Sequence, residues 1–181
     1  MKTSGWLAIA AALFAAAVAY DGRRDLLALP QTREWSARPA DGENGTLAGV
    51  NLRVVFARAA PLPEQPDSAV LLVRLALSGP QAARKAWLDC SATLIGPDGS
   101  RWLPVTGFYD AGARLAPDGQ SNLACMPMPF NEPPEGGEIL SDQAYMVPVS
   151  LLGDLTLRVS AQGTRPEALD FALAPLMQPG F

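Results

Sequence analysis

Two cysteines and a short run of sulfur-bearing residues are the groups in this chain best suited to chemistry. Cys125-Met126-Pro127-Met128 gathers three sulfur atoms within four residues, and soft sulfur donors suit Cu(I). Sites of that kind usually enlist imidazole as well, and the chain has no histidine. The expected reading is therefore packing of Met126 and Met128 around a bridged Cys125, with no metal bound. A periplasmic copper carrier is the remote alternative. Lacking histidine, the chain also lacks the commonest general base, the commonest metal ligand and the usual pH switch. The two lysines are Lys2 and Lys85. Lys85 follows Arg84 in what reads as an exposed turn, not the desolvated setting a Ser–Lys pair requires.

Carboxylates offer little more. Glycoside hydrolysis needs two of them facing each other across a cleft. Asp89, Asp110, Asp142 and Asp154 fall on strands or loops at spacings that pair none of them. Glu132, Glu135 and Glu138 belong to a Pro/Gly-rich segment, where solvation is the default. Trp87, Trp102, Phe108 and Tyr109 could form a sugar platform. Core packing is the competing reading for these aromatics, although Trp87 alternates onto the polar face of its strand. No catalytic residue and no cofactor are expected.

The elements that must position these groups follow from hydrophobic periodicity. Val50, Leu52, Val54 and Phe56 share one face of a predicted strand, with Asn51, Arg53 and Val55 opposite. Leu71, Val73, Leu75 and Leu77 repeat the pattern, opposed by Arg74 and Ser78. Such period-two alternation marks strands with one buried face. Residues 61–67 hold three prolines and read as a loop that no helix crosses. Leu88, Cys90, Ala92 and Leu94 define a third strand, which turns at Pro97-Asp98-Gly99 into Arg101–Val105. A similar turn at Pro117-Asp118-Gly119 feeds Asn122–Met126. Tyr145–Leu152 is a strand that Pro148 confines to an edge or bulge. Leu155, Leu157, Val159 and Ala161, then Leu169, Phe171 and Leu173, supply the last two strands.

Seven to eight short strands, and no convincing amphipathic helix beyond the N-terminus, predict an all-β, antiparallel sandwich. Cys90 lies in register with Leu88 and Leu94, and Cys125 with Leu123. Both cysteines should therefore face the core. A Cys90–Cys125 disulfide is expected if the domain is exported and the Cα atoms lie within about 7 Å; two buried free thiols are the alternative.

Export is written in the first twenty residues. Lys2 precedes an uncharged run, Gly5–Tyr20, that closes on Ala17-Val18-Ala19, the small-residue spacing of a signal peptidase site. A retained single-pass anchor through residues 5–20 is the expected form, with the domain in the periplasm; secretion after cleavage behind Ala19 is the alternative. Arg23 and Arg24 oppose that orientation under the positive-inside rule. The remaining chain divides into a stem at 21–45, with Trp35 its only aromatic residue, a sandwich at 46–173 and a loose tail at 174–181. Asn44-Gly45-Thr46 matches a glycosylation acceptor, but a Gly-containing turn ahead of the first strand is the favoured reading. Removing residues 1–19, which hold one basic and no acidic residue, takes the formal charge from −4 to −5. This acidity excludes nucleic acid as an expected partner.

The apolar strand Ala69–Leu77, the Pro97-Asp98-Gly99 hairpin, the turn Gly136–Glu138, the segment Met146-Val147-Pro148 and the closing Leu169-Asp170-Phe171 together carry a resemblance. Over residues 46–173 the chain resembles bacterial exported or membrane-anchored immunoglobulin-like β-sandwich domains of unknown function. The resemblance implies an envelope location and no known catalytic residues. The expected function is that of a non-enzymatic accessory or assembly protein of an envelope complex, binding a protein partner. Met126, Met128, Phe130, Glu132 and Glu135 form the candidate interaction loop. The alternative is a carbohydrate- or small-ligand-binding module using Trp87, Trp102 and Tyr109 as an aromatic surface.

Overall fold

The computed structural model describes residues 3–84, 87, 90–106, 109–119 and 137–179, without the side chains of 3–4, 7–8, 27–32 and 109–111. A long helix, α1 (Thr3–Thr32), opens the chain. It carries the apolar run on through Arg23-Arg24 and ends two residues beyond Pro30. Trp6, Leu13, Phe14 and Tyr20 on it are all exposed. Among the described residues, no helix is long and apolar enough to cross a membrane.

Among the described residues ten strands follow: β1 (Ser36–Pro39), β2 (Asn44–Leu47), β3 (Val50–Leu62), β4 (Gln65–Ser78), β5 (Cys90–Ile95), β6 (Arg101–Trp102), β7 (Ile139–Pro148), β8 (Leu155–Ala161), β9 (Glu167–Leu173) and β10 (Leu176–Met177). One sheet has the order β1-β9-β8-β5-β6. The other runs β10-β3-β4-β7, with β2 beside β3. Most neighbours are antiparallel, but β1 pairs parallel with β9 and β10 parallel with β3. β10 thus lies in the stretch read as the tail, held further by Gln178 N–H donating to the Ala59 carbonyl at 2.8 Å. Two of the strands beyond the expected eight are β1 and β2, which lie in the stretch read as the stem.

The inner faces of both sheets meet in one core, where Leu52, Leu71, Val73 and Leu75 pack with Leu94, Leu157 and Phe171. The alternations in β4, β8 and β9 therefore place their leucines and valines as the sequence predicts. In β3 the alternation breaks. Its pairing with β4 shifts between Val54 and Phe56, and a bulge sends subsequent side chains to the other face. Phe56 consequently leaves the face of Val50, Leu52 and Val54 and packs with Ala60, Val70 and Leu72 on the outer side.

That outer side is not open to solvent. A short helix absent from the sequence expectation, α3 (Tyr109–Leu115), lays Leu115 and Ala116 against it. β4 is in consequence buried on both faces from Ala69 to Leu77, including Arg74, which is only 3% exposed.

The turns follow local chemistry. The β5–β6 hairpin forms as predicted, with Leu94 opposite Trp102 and Gly99 at φ 81°. Pro61–Asp67 is a tight hairpin instead of a loop, because β3 runs to Leu62 and β4 begins at Gln65. Asn44-Gly45-Thr46 lies within β2, not in a turn before the first strand. A Cβ on Gly45 would sit 2.8 Å from the Leu169 side chain, so this glycine serves close packing. β2 and β3 join through Ala48-Gly49, both at positive φ, 50° and 77°, which is the two-residue turn matched to strand twist. After Pro148 the expected strand stops in a 3-10 turn, Val149–Leu151. β7 is a terminal strand of its sheet, as that proline requires.

Candidate functional site

The outer face of the other sheet is polar. Inward Ala92 and Leu94 alternate with outward Ser91 and Thr93 on β5, and the register sets these opposite Ser160 and Arg158 of β8. The segment Arg33-Glu34-Trp35, between α1 and β1, comes to this face because Ser36 N–H donates to the Pro166 carbonyl at 3.1 Å and β1 pairs with β9. Arg101 on β6 and Arg165, just before β9, approach from the two sides. Together with Ser91 and Thr93 they line a cleft of about 500 Å³, within the range of roughly 300–1,000 Å³ usual for small-ligand sites.

Glu34 is the fixed point of the cleft. Its carboxylate accepts the Ser160 hydroxyl hydrogen and lies 3.9 Å from an Arg165 guanidinium nitrogen. Arg165 Nε also reaches Ser160 Oγ at 3.4 Å. Nearby, Arg158 is bound by both oxygens of Asp170, at 2.7 and 2.6 Å. That hydrogen bonding raises the Arg158 pKa above its ordinary value. Arg33 and Arg101, by contrast, have no ion-pair partner among the described residues. Trp35 stands 57% exposed beside them.

Ser160 is fully buried, so the Ser160–Glu34 pair cannot present a nucleophile to a substrate. Among the described residues, no group of three His, Cys, Asp or Glu could hold a metal ion.

A second charged cluster lies under α3. Arg74 Nε and a terminal nitrogen donate to the two oxygens of Asp142 at 2.7 and 2.9 Å. Its other terminal nitrogen meets Asp118 at 2.6 Å. The Phe56 ring lies 4.9 Å from the guanidinium carbon, a cation–π contact. The hydrogen bond to Asp142 is the main reason the Arg74 pKa rises still higher than usual. Arg58 donates to the Leu115 carbonyl at 3.3 Å. These contacts fasten the 109–119 segment over the sheet.

Of the sequence-predicted site residues, Cys90, Trp87 and Trp102 have described side chains. Trp87 is fully buried in the core, not on a polar face. Trp102 is half-buried against the same core. Tyr109 opens α3, and its side chain, like Phe108, lies outside the described residues. The proposed aromatic surface is thus not assembled around Trp87. Arg84, expected in an exposed turn, ends α2 (Gln81–Arg84) and is buried; Lys85 and Asp89 lie outside the described residues. Cys90 is half-buried against the core and carries no free thiol. Cys125 and the loop residues Met126, Met128, Phe130, Glu132 and Glu135 lie outside the described residues. Glu138 binds Arg53 at 2.9 Å on the surface. The Arg33-Glu34-Trp35 triplet carries one signal in the sequence, an aromatic directly after two opposite charges and immediately ahead of a strand.

No family model matches the chain, and no curated protein matches it. Among solved structures, it is similar to the yjhA protein of Bacillus subtilis at 11% identity, covering 76% of this chain and 99% of that one, with a TM-score of 0.44. A candidate lipoprotein of Staphylococcus aureus gives 6% identity, 78% and 96% coverage and a TM-score of 0.49. A third, the Bacillus subtilis candidate lipoprotein ycdA, gives 10% identity, 74% and 38% coverage and a TM-score of 0.36. At these values the likenesses carry no argument about activity, and function is read from this chain's own residues.

Proposed function

We propose that the chain is an exported, non-enzymatic envelope protein whose immunoglobulin-like sandwich works through contacts with a protein partner. The observation that carries the binding half of this reading lies on the β10-β3-β4-β7 sheet. Both of its terminal strands expose large apolar side chains: Leu140 and Met146 on β7, Leu176 and Met177 on β10. Terminal strands also offer backbone groups for pairing with a further strand.

Export is supported by α1. Its apolar side chains are not covered by the sheets, so they need another apolar environment. The run Gly5–Tyr20 spans about 24 Å as a helix, short of the roughly 30 Å of hydrocarbon a permanent span requires. The peptidase-type spacing of Ala17 and Ala19 favours a signal cut after Ala19 over the retained anchor. In the oxidising compartment beyond, Cys90 and Cys125 form one disulfide, since the chain holds no other cysteine.

Site-specific photo-crosslinking in cells tests the contact surface. A crosslinker at Met146 or Leu176 should give one discrete adduct with an envelope protein, while one at exposed Asp154 should give none. Equal labelling from all three positions would refute an edge-directed interface.

A further inference from the structure

The cleft on the β1-β9-β8-β5-β6 sheet has a chemistry that a protein-contact role does not call for. Three guanidiniums, from Arg33, Arg101 and Arg165, meet one carboxylate, Glu34, in a chain whose formal charge is −4. The excess positive charge is therefore local and gathered at a concavity. Fields focused in such a cleft raise the local concentration of an anion. We propose that this cleft binds a carboxylate-bearing saccharide, a sugar acid of the uronate type, independently of the edge-strand interface.

Four features select that class. Arg33 and Arg101 stand without ion-pair partners among the described residues, and guanidinium pairs bidentately with a planar carboxylate. Glu34 cannot be moved out of the way, since Ser160 and Arg165 hold it. Its negative charge penalises a phosphate dianion more than a carboxylate monoanion, while its oxygens accept hydrogen bonds from ligand hydroxyls. Ser91 and Thr93 add two neutral hydroxyls on one strand face, each both donor and acceptor. Trp35 supplies an exposed, flat apolar surface against which the carbon face of a sugar ring can lie. A bare anion would use the arginines and leave Trp35, Ser91 and Thr93 without a function.

Calorimetric titration of the full-length chain in mild detergent tests this, using trigalacturonate and triglucuronate, neutral maltotriose and inorganic phosphate as probes. At least one uronate trimer should bind, with maltotriose about tenfold or more weaker and affinity falling as salt is raised. Arg101→Gln should weaken uronate binding about tenfold, the loss expected for one charge-assisted hydrogen bond. Trp35→Ala should weaken both saccharides, while Trp35→Phe should retain most of the affinity. Arg101 and Trp35 are outside the core, and unchanged thermal unfolding of each variant would separate lost binding from lost fold. Absence of uronate binding, equal affinity for maltotriose, or uronate binding indifferent to Arg101→Gln would each overturn the proposal. Phosphate binding as tight as the uronate would overturn the saccharide assignment and leave a plain anion site.

Discussion

Tyr145 on one sheet donates its phenolic hydrogen to the backbone carbonyl of Ala92 on the other, across 3.0 Å of core. It ties β7 to β5 across the core, and Tyr145 is fully buried. Burial raises its pKa well above the ordinary phenol value. The raised folded-state pKa means that the stability this group contributes is fully present below pH about 10 and is lost as pH rises beyond it. Tyr145→Phe leaves the Ala92 carbonyl unsatisfied and should cost about 1–2 kcal/mol at neutral pH. In denaturant titrations from pH 8 to 11.5, that deficit should shrink by about 1.4 kcal/mol per pH unit above pH 10. A pH-independent deficit would contradict the buried, neutral phenol.

The ion pair under α3 should behave as a buried pair, not a surface one. Asp142 is 4% exposed, so Arg74→Met strands a carboxylate away from water. The expected loss is about 3–5 kcal/mol, and Arg74→Met with Asp142→Leu should recover most of it. Urea unfolding of the three proteins measures both quantities. A single-variant cost below about 1 kcal/mol would place this pair in solvent.

Much of this architecture can be seen in the residues themselves. The leucine and valine alternations of β4, β8 and β9 report their buried face directly, and Pro148 marks its strand as terminal. The bulge beyond Val54 was hidden because a register shift has no signature in an apolar run such as Val54-Val55-Phe56. Trp87 reads as polar-facing when the β5 alternation is carried back to it, whereas it is buried in the core. Arg74 reads as solvent-facing by alternation; the 109–119 segment, distant in sequence, lies over that face and brings Asp118 to it. The cleft was least legible. Its arginines come from positions 33, 101 and 165, and no local pattern announces that three loops and edges will meet.

Ala48 is the one non-glycine residue at positive φ among those described, at 50°. An L-residue with a Cβ pays roughly 1 kcal/mol there, and asparagine is the residue favoured at the first position of such a turn. Ala48→Asn should therefore raise stability by about 0.5–1 kcal/mol, visible as a higher thermal midpoint. Ala48→Val should lower it. A neutral or destabilising asparagine would argue against the positive-φ turn.

The proposed disulfide makes a separate commitment. Non-reducing peptide maps of protein taken from the periplasm should join the peptide containing Cys90 to that containing Cys125. Replacing both with alanine should lower unfolding stability by about 2–5 kcal/mol and leave the far-UV β signal unchanged. Two thiols reactive to an alkylating reagent in the folded, exported protein would refute the bridge.

Export underlies the partner, the disulfide and the setting of the cleft alike. A reporter that is active only in the periplasm, fused after Phe181, addresses it directly when paired with N-terminal sequencing of the product. The expected result is reporter activity together with a mature chain beginning at Tyr20. Activity with an uncut N-terminus in the membrane pellet would retain export and restore the anchor in place of cleavage. An inactive reporter, matched by activity from a cytoplasm-dependent one at the same position, would contradict the account.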